Sequence, residues 1–181
     1  MFVAVEIPES VRAAVGEAVA PWRDSFPQAR WVPAENLHVT VKFLGGTYPR
    51  LLGWIEGRLG EVAAGAAPFA LGLSGAGAFP SPSAARVLWA GVDDPDGHLR
   101  ALAEALDDGL AAEFTRERDA GPFRGHLTVA RSEPPLSLPP AFARTSLSAE
   151  PFTVDRLVLV RSHVQRPAPR YEPLRTFDLG A

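Results

Sequence analysis

Asn36-Leu37-His38-Val39-Thr40-Val41-Lys42-Phe43-Leu44-Gly45 alternates apolar and polar residues along most of its length. Side chains on a β-strand point to opposite faces in turn, so this stretch reads as a strand with Leu37, Val39, Val41 and Phe43 on one face and His38, Thr40 and Lys42 on the other. A second stretch, Gly125-His126-Leu127-Thr128-Val129-Ala130-Arg131, repeats the His-x-Thr pattern in the other half of the chain. One such pattern can be the exposed edge of any strand. Two of them, each in the same place in a repeated plan, decide how the rest is read.

Working outward from the first copy, Phe2 to Ile7 reads as a short buried strand ahead of Pro8. An amphipathic helix follows from Ser10 to about Trp22, with Val11, Val15, Val19 and Trp22 at helical spacing and Pro21 near its stop. Beyond the His-x-Thr strand lie a weaker helix over Tyr48 to Ala64 and an apolar stretch from Pro68-Phe69 to Phe79, closed by Pro80-Ser81-Pro82-Ser83. Around the second copy, Arg86 to Val92 reads as a strand, and Asp94-Pro95-Asp96 opens a helix carrying Leu99, Leu102, Leu106, Leu110 and Phe114. After the second His-x-Thr strand come a short helix near Ala141, a strand from Pro151-Phe152 to Val160, and a last strand over Arg170 to Leu179. Strand, helix, His-x-Thr strand, helical segment and strand thus occur twice, with Pro-Phe opening the last strand each time. The plan predicts an α+β fold over residues 1–181, a single domain of two intertwined, duplicated antiparallel-sheet lobes with outer helices around a central cleft.

Composition narrows the chemistry. The chain has 181 residues, 46% hydrophobic and 22% charged, the balance of one globular unit. No cysteine is present, which excludes disulfides, thiolate zinc sites and a cysteine nucleophile. A formal net charge of −3 argues against a protein that grips long nucleic acid by a broad basic surface. Basic residues do cluster locally, at Arg116, Arg118, Arg124 and Arg131, and at Arg156, Arg161, Arg166, Arg170 and Arg175. The start Met1-Phe2-Val3-Ala4-Val5-Glu6 has no basic leader and no apolar run reaches spanning length, so a cytoplasmic protein without membrane contact is expected.

Two histidines on facing strands suit the opening of a cyclic phosphodiester. One group must take a proton from water while another gives one to the departing ribose oxygen, and imidazoles do both near neutral pH. The hydroxyls of Thr40 and Thr128 can donate to the nonbridging phosphate oxygens. Arg131 can clamp them bidentately, although strict alternation sets it on the face opposite His126 and requires a twist or bulge to bring it in. Lys42 shares the face of His38 and Thr40 and is a second phosphate-contact candidate. This chemistry needs no metal and no cofactor, and no His-x3-His or Glu-rich spacing suggests a metal site. His98, in the first turn of a predicted helix, reads as solvated, whereas His163 lies near Arg161 and Arg166. Trp31, Phe43, Phe79 and Trp89 read as core or cleft wall.

Arg30-Trp31-Val32-Pro33-Ala34-Glu35-Asn36-Leu37-His38-Val39-Thr40-Val41-Lys42-Phe43-Leu44-Gly45 and Phe123-Arg124-Gly125-His126-Leu127-Thr128-Val129-Ala130-Arg131 resemble the two signature segments of the bacterial and archaeal RNA 2′,3′-cyclic phosphodiesterases, also called 2′-5′ RNA ligases, of the 2H phosphoesterase superfamily. Leu71 to Phe79, Ala85 to Val92 and Tyr171-Glu172-Pro173-Leu174 with Phe177 extend the likeness over nearly the whole chain. The resemblance implies a bilobal α+β fold. It also implies hydrolysis of RNA 2′,3′-cyclic phosphate ends, or of nucleoside 2′,3′-cyclic phosphates, to 2′-phosphates, with a slow reverse 2′-5′ ligation. In that scheme His38 protonates the departing 3′ oxygen, His126 activates water, and Thr40, Thr128 and Arg131 bind phosphate. A monomer is expected. Gly125 stands where members often carry Pro, a departure expected to loosen the start of that strand. Two other functions share the same cleft: a module that binds RNA ends or nucleotides without chemistry, and a related diesterase acting on a cyclic ADP-ribose phosphate or a 2′-5′ oligonucleotide.

Overall fold

The computed structural model describes residues 1–114, 123–165 and 168–181. Among the described residues nine strands and four helices follow in the order β1 (Phe2–Glu6), α1 (Glu9–Ser25), β2 (Arg30–Trp31), β3 (His38–Phe43), α2 (Leu52–Ala64), β4 (Phe69–Phe79), β5 (Ala85–Asp93), α3 (His98–Leu110), β6 (His126–Leu136), α4 (Pro140–Ala143), β7 (Phe152–Val154), β8 (Arg156–His163) and β9 (Arg170–Asp178). Short 3-10 turns at Ala34–Asn36, Pro49–Leu51 and Pro82–Ala84 connect them.

The strands form one antiparallel sheet in the order β7-β4-β5-β6-β3-β1-β8-β9, with β2 pairing β6 beside β3. Helices cover one face. There Val3 and Val5 of β1, the following Ile7, and Val39 and Val41 of β3 join Val11, Val15 and Val19 of α1 and Leu99, Leu102, Leu106 and Leu110 of α3 in one core. The leucines of α3 recur at helical spacing on a single stripe and are almost fully buried. Burying each contributes about 1.5–3 kcal/mol, so truncating one to Ala costs about 2–5 kcal/mol. A smaller cluster of Phe2, Ala4, Val158 and Val160, backed by Tyr171, lies apart from this core. Alternation along β1 puts it on the opposite sheet face, that of His38.

The register of the sheet matches between its halves. Opposite β3, Glu6 meets His38, Ala4 meets Thr40, Val3 meets Lys42 and Phe2 meets Phe43. Opposite β6, Gly91 meets His126, Trp89 meets Thr128, Leu88 meets Ala130 and Val87 meets Arg131. Each ladder skips one residue at the same step, Val41 in the first half and Val129 in the second. This is a β-bulge, and it reverses the facing of every residue after it.

Two expectations are corrected in the connections. Pro21 lies inside α1, which runs on to Ser25. The last turn is held by Trp22, whose indole N–H donates to Thr145 Oγ1 at 2.9 Å and whose ring meets Phe142 edge-on, so tertiary contact outweighs the missing backbone donor. The segment expected as one strand from Phe152 to Val160 is two. β7 pairs with β4 at one end of the sheet and β8 with β1 towards the other, the chain crossing at Asp155. Pro151-Phe152 therefore opens an edge strand that pairs with the strand opened by Pro68-Phe69, and the two Pro-Phe steps are partners in one ladder rather than equivalents.

Candidate active site

His38 and His126 begin β3 and β6, the central strands, which touch at Val39 opposite Leu127. Continuing that antiparallel register sets His38 beside Thr128 and Thr40 beside His126, with all four on the face away from the helices. The sequence-expected quartet is thus brought together. Each imidazole is held in the same way. The Nδ1–H of His38 donates to the carbonyl of Asn36 and that of His126 to the carbonyl of Arg124, each at 2.8 Å. Tying Nδ1 to a carbonyl two residues back leaves Nε2 as the reactive nitrogen in both rings.

The surroundings differ. His38 Nε2 lies 3.1 Å from Thr40 Oγ1. With His38 neutral, Nε2 accepts the threonine proton; once His38 is charged, Nε2–H donates to Thr40 and frees its hydroxyl hydrogen for another acceptor. Phe2 stacks on His38 at 4.7 Å and Tyr171 meets both rings edge-on at 5.2 Å. Around His126, Phe79 stands edge-on at 5.2 Å and Trp89 lies at 6.4 Å. The Trp89 ring lies across the neighbouring strand at Gly77, where any Cβ would fall inside the indole. His126 is the more open of the two histidines.

The bulges settle the two basic candidates. After Val129, Ala130 stays in the core and Arg131 emerges on the face of His126 and Thr128, which removes the objection from strict alternation. Its charge reaches His38, His126 and Tyr171. After Val41 the same reversal turns Lys42 away from the histidines: it is only 8% exposed, and its ammonium ion-pairs with Asp107 of α3. Placement of Lys42 on the His38 face is therefore corrected. Phe43, expected on the strand face of Leu37, Val39 and Val41, instead emerges on the cleft face, 69% exposed, at the register position that corresponds to Arg131.

Burial lowers the pKa of His38, with the charges of His126 and Arg131 adding to the effect and the bond to Asn36 opposing it. His126 is lowered by burial first, then by Arg131 and Arg124, against the bond to Arg124. Burial raises the Tyr171 phenol, and Arg131 pulls it back. Both histidines therefore resist a further positive charge in the cleft, an effect that a bound anion opposes.

A groove of about 580 Å³ opens beside His38, its walls including Phe2, Asn36, Tyr171, Arg12 and Arg170. Its size is that of a small-molecule site. The Asn36 side chain donates to the Pro169 carbonyl at 3.0 Å, tying the turn that anchors His38 to the segment before Tyr171. Tyr171 and Phe2 are site residues that strand patterning could not reach, since the strand order β3-β1-β8-β9 is what brings them to His38.

Other candidates fall elsewhere. His163 pairs with Glu172 at 2.6 Å, and His98 lies against Phe69 at 5.7 Å at the start of α3. Among the described residues no group of three or more His, Asp or Glu could hold a metal, and no helix is long and apolar enough to cross a membrane. Arg116, Arg118 and Arg166 lie outside the described residues. At Gly125 a Cβ would sit 2.7 Å from Leu99 Cδ2 and 3.4 Å from Val92 Cβ, so the glycine lets the chain entering β6 pass close to α3.

This architecture, a curled antiparallel sheet carrying outer helices, is the α+β fold of the 2H phosphoesterases. The chain belongs to the 2′-5′ RNA ligase superfamily, whose family profile matches residues 7–166. It is 36% identical to the RNA 2′,3′-cyclic phosphodiesterase of Thermus thermophilus over 188 aligned positions, covering 99% of this chain and 89% of that one. It is 30% identical to the enzyme of the same name from Geobacillus stearothermophilus, of whose length it spans 56%. Among solved structures, TT0787 of Thermus thermophilus superimposes with a TM-score of 0.83 at 31% identity, covering 99% of this chain and 97% of that one. Escherichia coli LigT complexed with 3′-AMP does so with a TM-score of 0.74 at 29% identity, covering 99% and 97%.

Proposed function

We propose that this protein hydrolyses the 2′,3′-cyclic phosphate at an RNA end, or on a nucleoside, to a 2′-phosphomonoester by metal-independent acid–base catalysis. The observation that carries the reading is the pair of carbonyl-anchored histidines on adjoining strands, with Arg131 turned onto their face by a bulge. Relatives named as RNA 2′,3′-cyclic phosphodiesterases support the substrate class. The matched registers on either side of β3 and β6 support a single domain built from two duplicated halves.

In the reaction a water oxygen bonds to phosphorus as the bond to the ribose 3′ oxygen breaks. His126 Nε2 takes the water proton, and His38, entering as the imidazolium, gives its Nε2 proton to the leaving oxygen. The greater openness of His126 favours its meeting water, and the contact of His38 with Thr40 couples its charging to release of a hydroxyl donor. Arg131 and the two threonines hold the nonbridging oxygens. That His38 lines the groove and His126 does not supports a reading with the reacting phosphate at the rim and the nucleoside against Phe2 and Tyr171. With the 5′ hydroxyl of a second chain in place of water, the same groups can open the cyclic phosphate to a 2′-5′ linkage, His126 taking the hydroxyl proton and His38 protonating the departing 3′ oxygen. We place the protein in the cytoplasm as a monomer, which light scattering on the purified chain tests.

The deciding experiment incubates the protein with chelator and a cyclic-phosphate-ended RNA and maps the product. A 2′-phosphate end is expected. Binding without product identifies a non-catalytic module, and a 3′-phosphate overturns the assigned leaving group.

A further inference from the structure

Arg30 stands directly opposite Arg131 in the pairing of β2 with β6. Residues opposed in this way project to the same face of a sheet. The next pair, Trp31 and Ala130, packs with the helix-side core, so Arg30 and Arg131 share the cleft face. Both are exposed, and among the described residues neither forms an ion pair or a hydrogen bond.

Like charges opposed on adjacent strands, about 4.8 Å apart, disfavour the pairing they sit on. Nothing in the packing of this two-residue strand requires an arginine at position 30, because its side chain leaves the core entirely. An anion lying against the two guanidinium groups turns the repulsion into attraction. Arg131 is engaged with the reacting centre, since its charge acts on both histidines. Arg30 lies on the β3 side of β6, across the strand gap from Arg131, at the end of the cleft beyond Thr128. A cyclic mononucleotide has a single phosphate and offers Arg30 nothing once Arg131 is occupied. An RNA chain carries a second phosphodiester one nucleotide away.

We propose that Arg30 binds the phosphodiester adjoining the reacting cyclic phosphate and so makes the enzyme favour chains of two or more nucleotides over cyclic mononucleotides. The inference rests on the cyclic phosphodiesterase activity proposed above. It assigns to Arg30 a binding role with no part in proton transfer.

The test compares kcat/KM for adenosine 2′,3′-cyclic phosphate with that for the dinucleotide ApA ending in a 2′,3′-cyclic phosphate. In Arg30→Gln the dinucleotide-to-mononucleotide ratio is expected to fall about tenfold, and Arg30→Lys to recover part of it. The slope of log(kcat/KM) against log salt for the dinucleotide should also become shallower by about 0.7, the value for one lost phosphate contact on a single strand. Equal loss on both substrates, or an unchanged ratio and slope, overturns the proposal while leaving the activity standing. A wild-type protein that turns over neither substrate removes the activity, and this inference with it.

Discussion

The His38 and His126 halves use one backbone design to opposite ends. In each, a His-x-Thr strand is followed by a bulge at a valine, and the residue three positions after the threonine is turned onto the cleft face. In one half that residue is Arg131, and in the other it is Phe43. The residue just before it goes to the helix side, where Ala130 fills space and Lys42 pairs with Asp107. The backbone thus supplies two equivalent slots at opposite ends of the cleft, one cationic and one aromatic. The site is thus symmetric in its two anchored histidines and asymmetric in the groups that flank them.

The harshest way to break the comparison is to remove the shared part. His38→Ala and His126→Ala should each lower kcat on a cyclic-phosphate-ended RNA by about 10²–10⁴-fold, the usual contribution of a positioned acid or base. Circular dichroism should show the fold intact, and near-wild-type turnover in either variant would end the two-histidine mechanism. The unshared slots come next. Arg131→Ala should cost about 10–100-fold in kcat/KM on a cyclic mononucleotide, whereas Phe43→Ala should cost less than about threefold. Equal losses would mean that the two ends are not divided as the structure indicates.

Lys42 sharpens the contrast on the other face. Lys42→Met leaves Asp107 without that partner and should destabilise the protein by about 1–3 kcal/mol in urea unfolding while changing turnover less than about threefold. A large catalytic loss with normal stability would return Lys42 to the phosphate.

The smallest effects are those of pH. With both histidines depressed, the kcat/KM optimum should lie on the acid side of about 6.5, and bound phosphate should move the kcat optimum upward. For stability, the unfolded chain binds these protons more readily than the folded one. The contribution is complete above the unfolded value near 6.5 and is lost as pH falls through the folded values. His38→Gln should accordingly lose less stability than wild type between pH 7 and pH 5, measured by thermal unfolding.

The faces of His38, Thr40, His126 and Thr128 were legible because alternation holds up to the bulge. Beyond it alternation misleads, and it misleads unequally. In the second copy the adjacent apolar pair Val129-Ala130 interrupts the pattern and signals the reversal. In the first, Lys42 after Val41 preserves a polar-apolar rhythm while pointing the other way, and only the pairing with β1 reveals it. Tyr171 and Phe2 were beyond local reading for another reason, since their contact with His38 depends on the order of strands across the sheet. The break at Asp155 was likewise hidden, because β7 and β8 are each apolar enough to pass as one strand until their different partners are known.

The place of β1 between β3 and β8 also bears on how the chain folds. β1 and β3 lie close together in the chain, yet the second edge of β1 waits for the distant β8, with its N–H and C=O groups unpaired meanwhile. Such distant pairing slows folding and leaves the partly folded chain open to misassociation. It also means that His38 receives its Tyr171 wall only when β9 docks, so the candidate site is completed by strands far along the chain from the histidine it encloses.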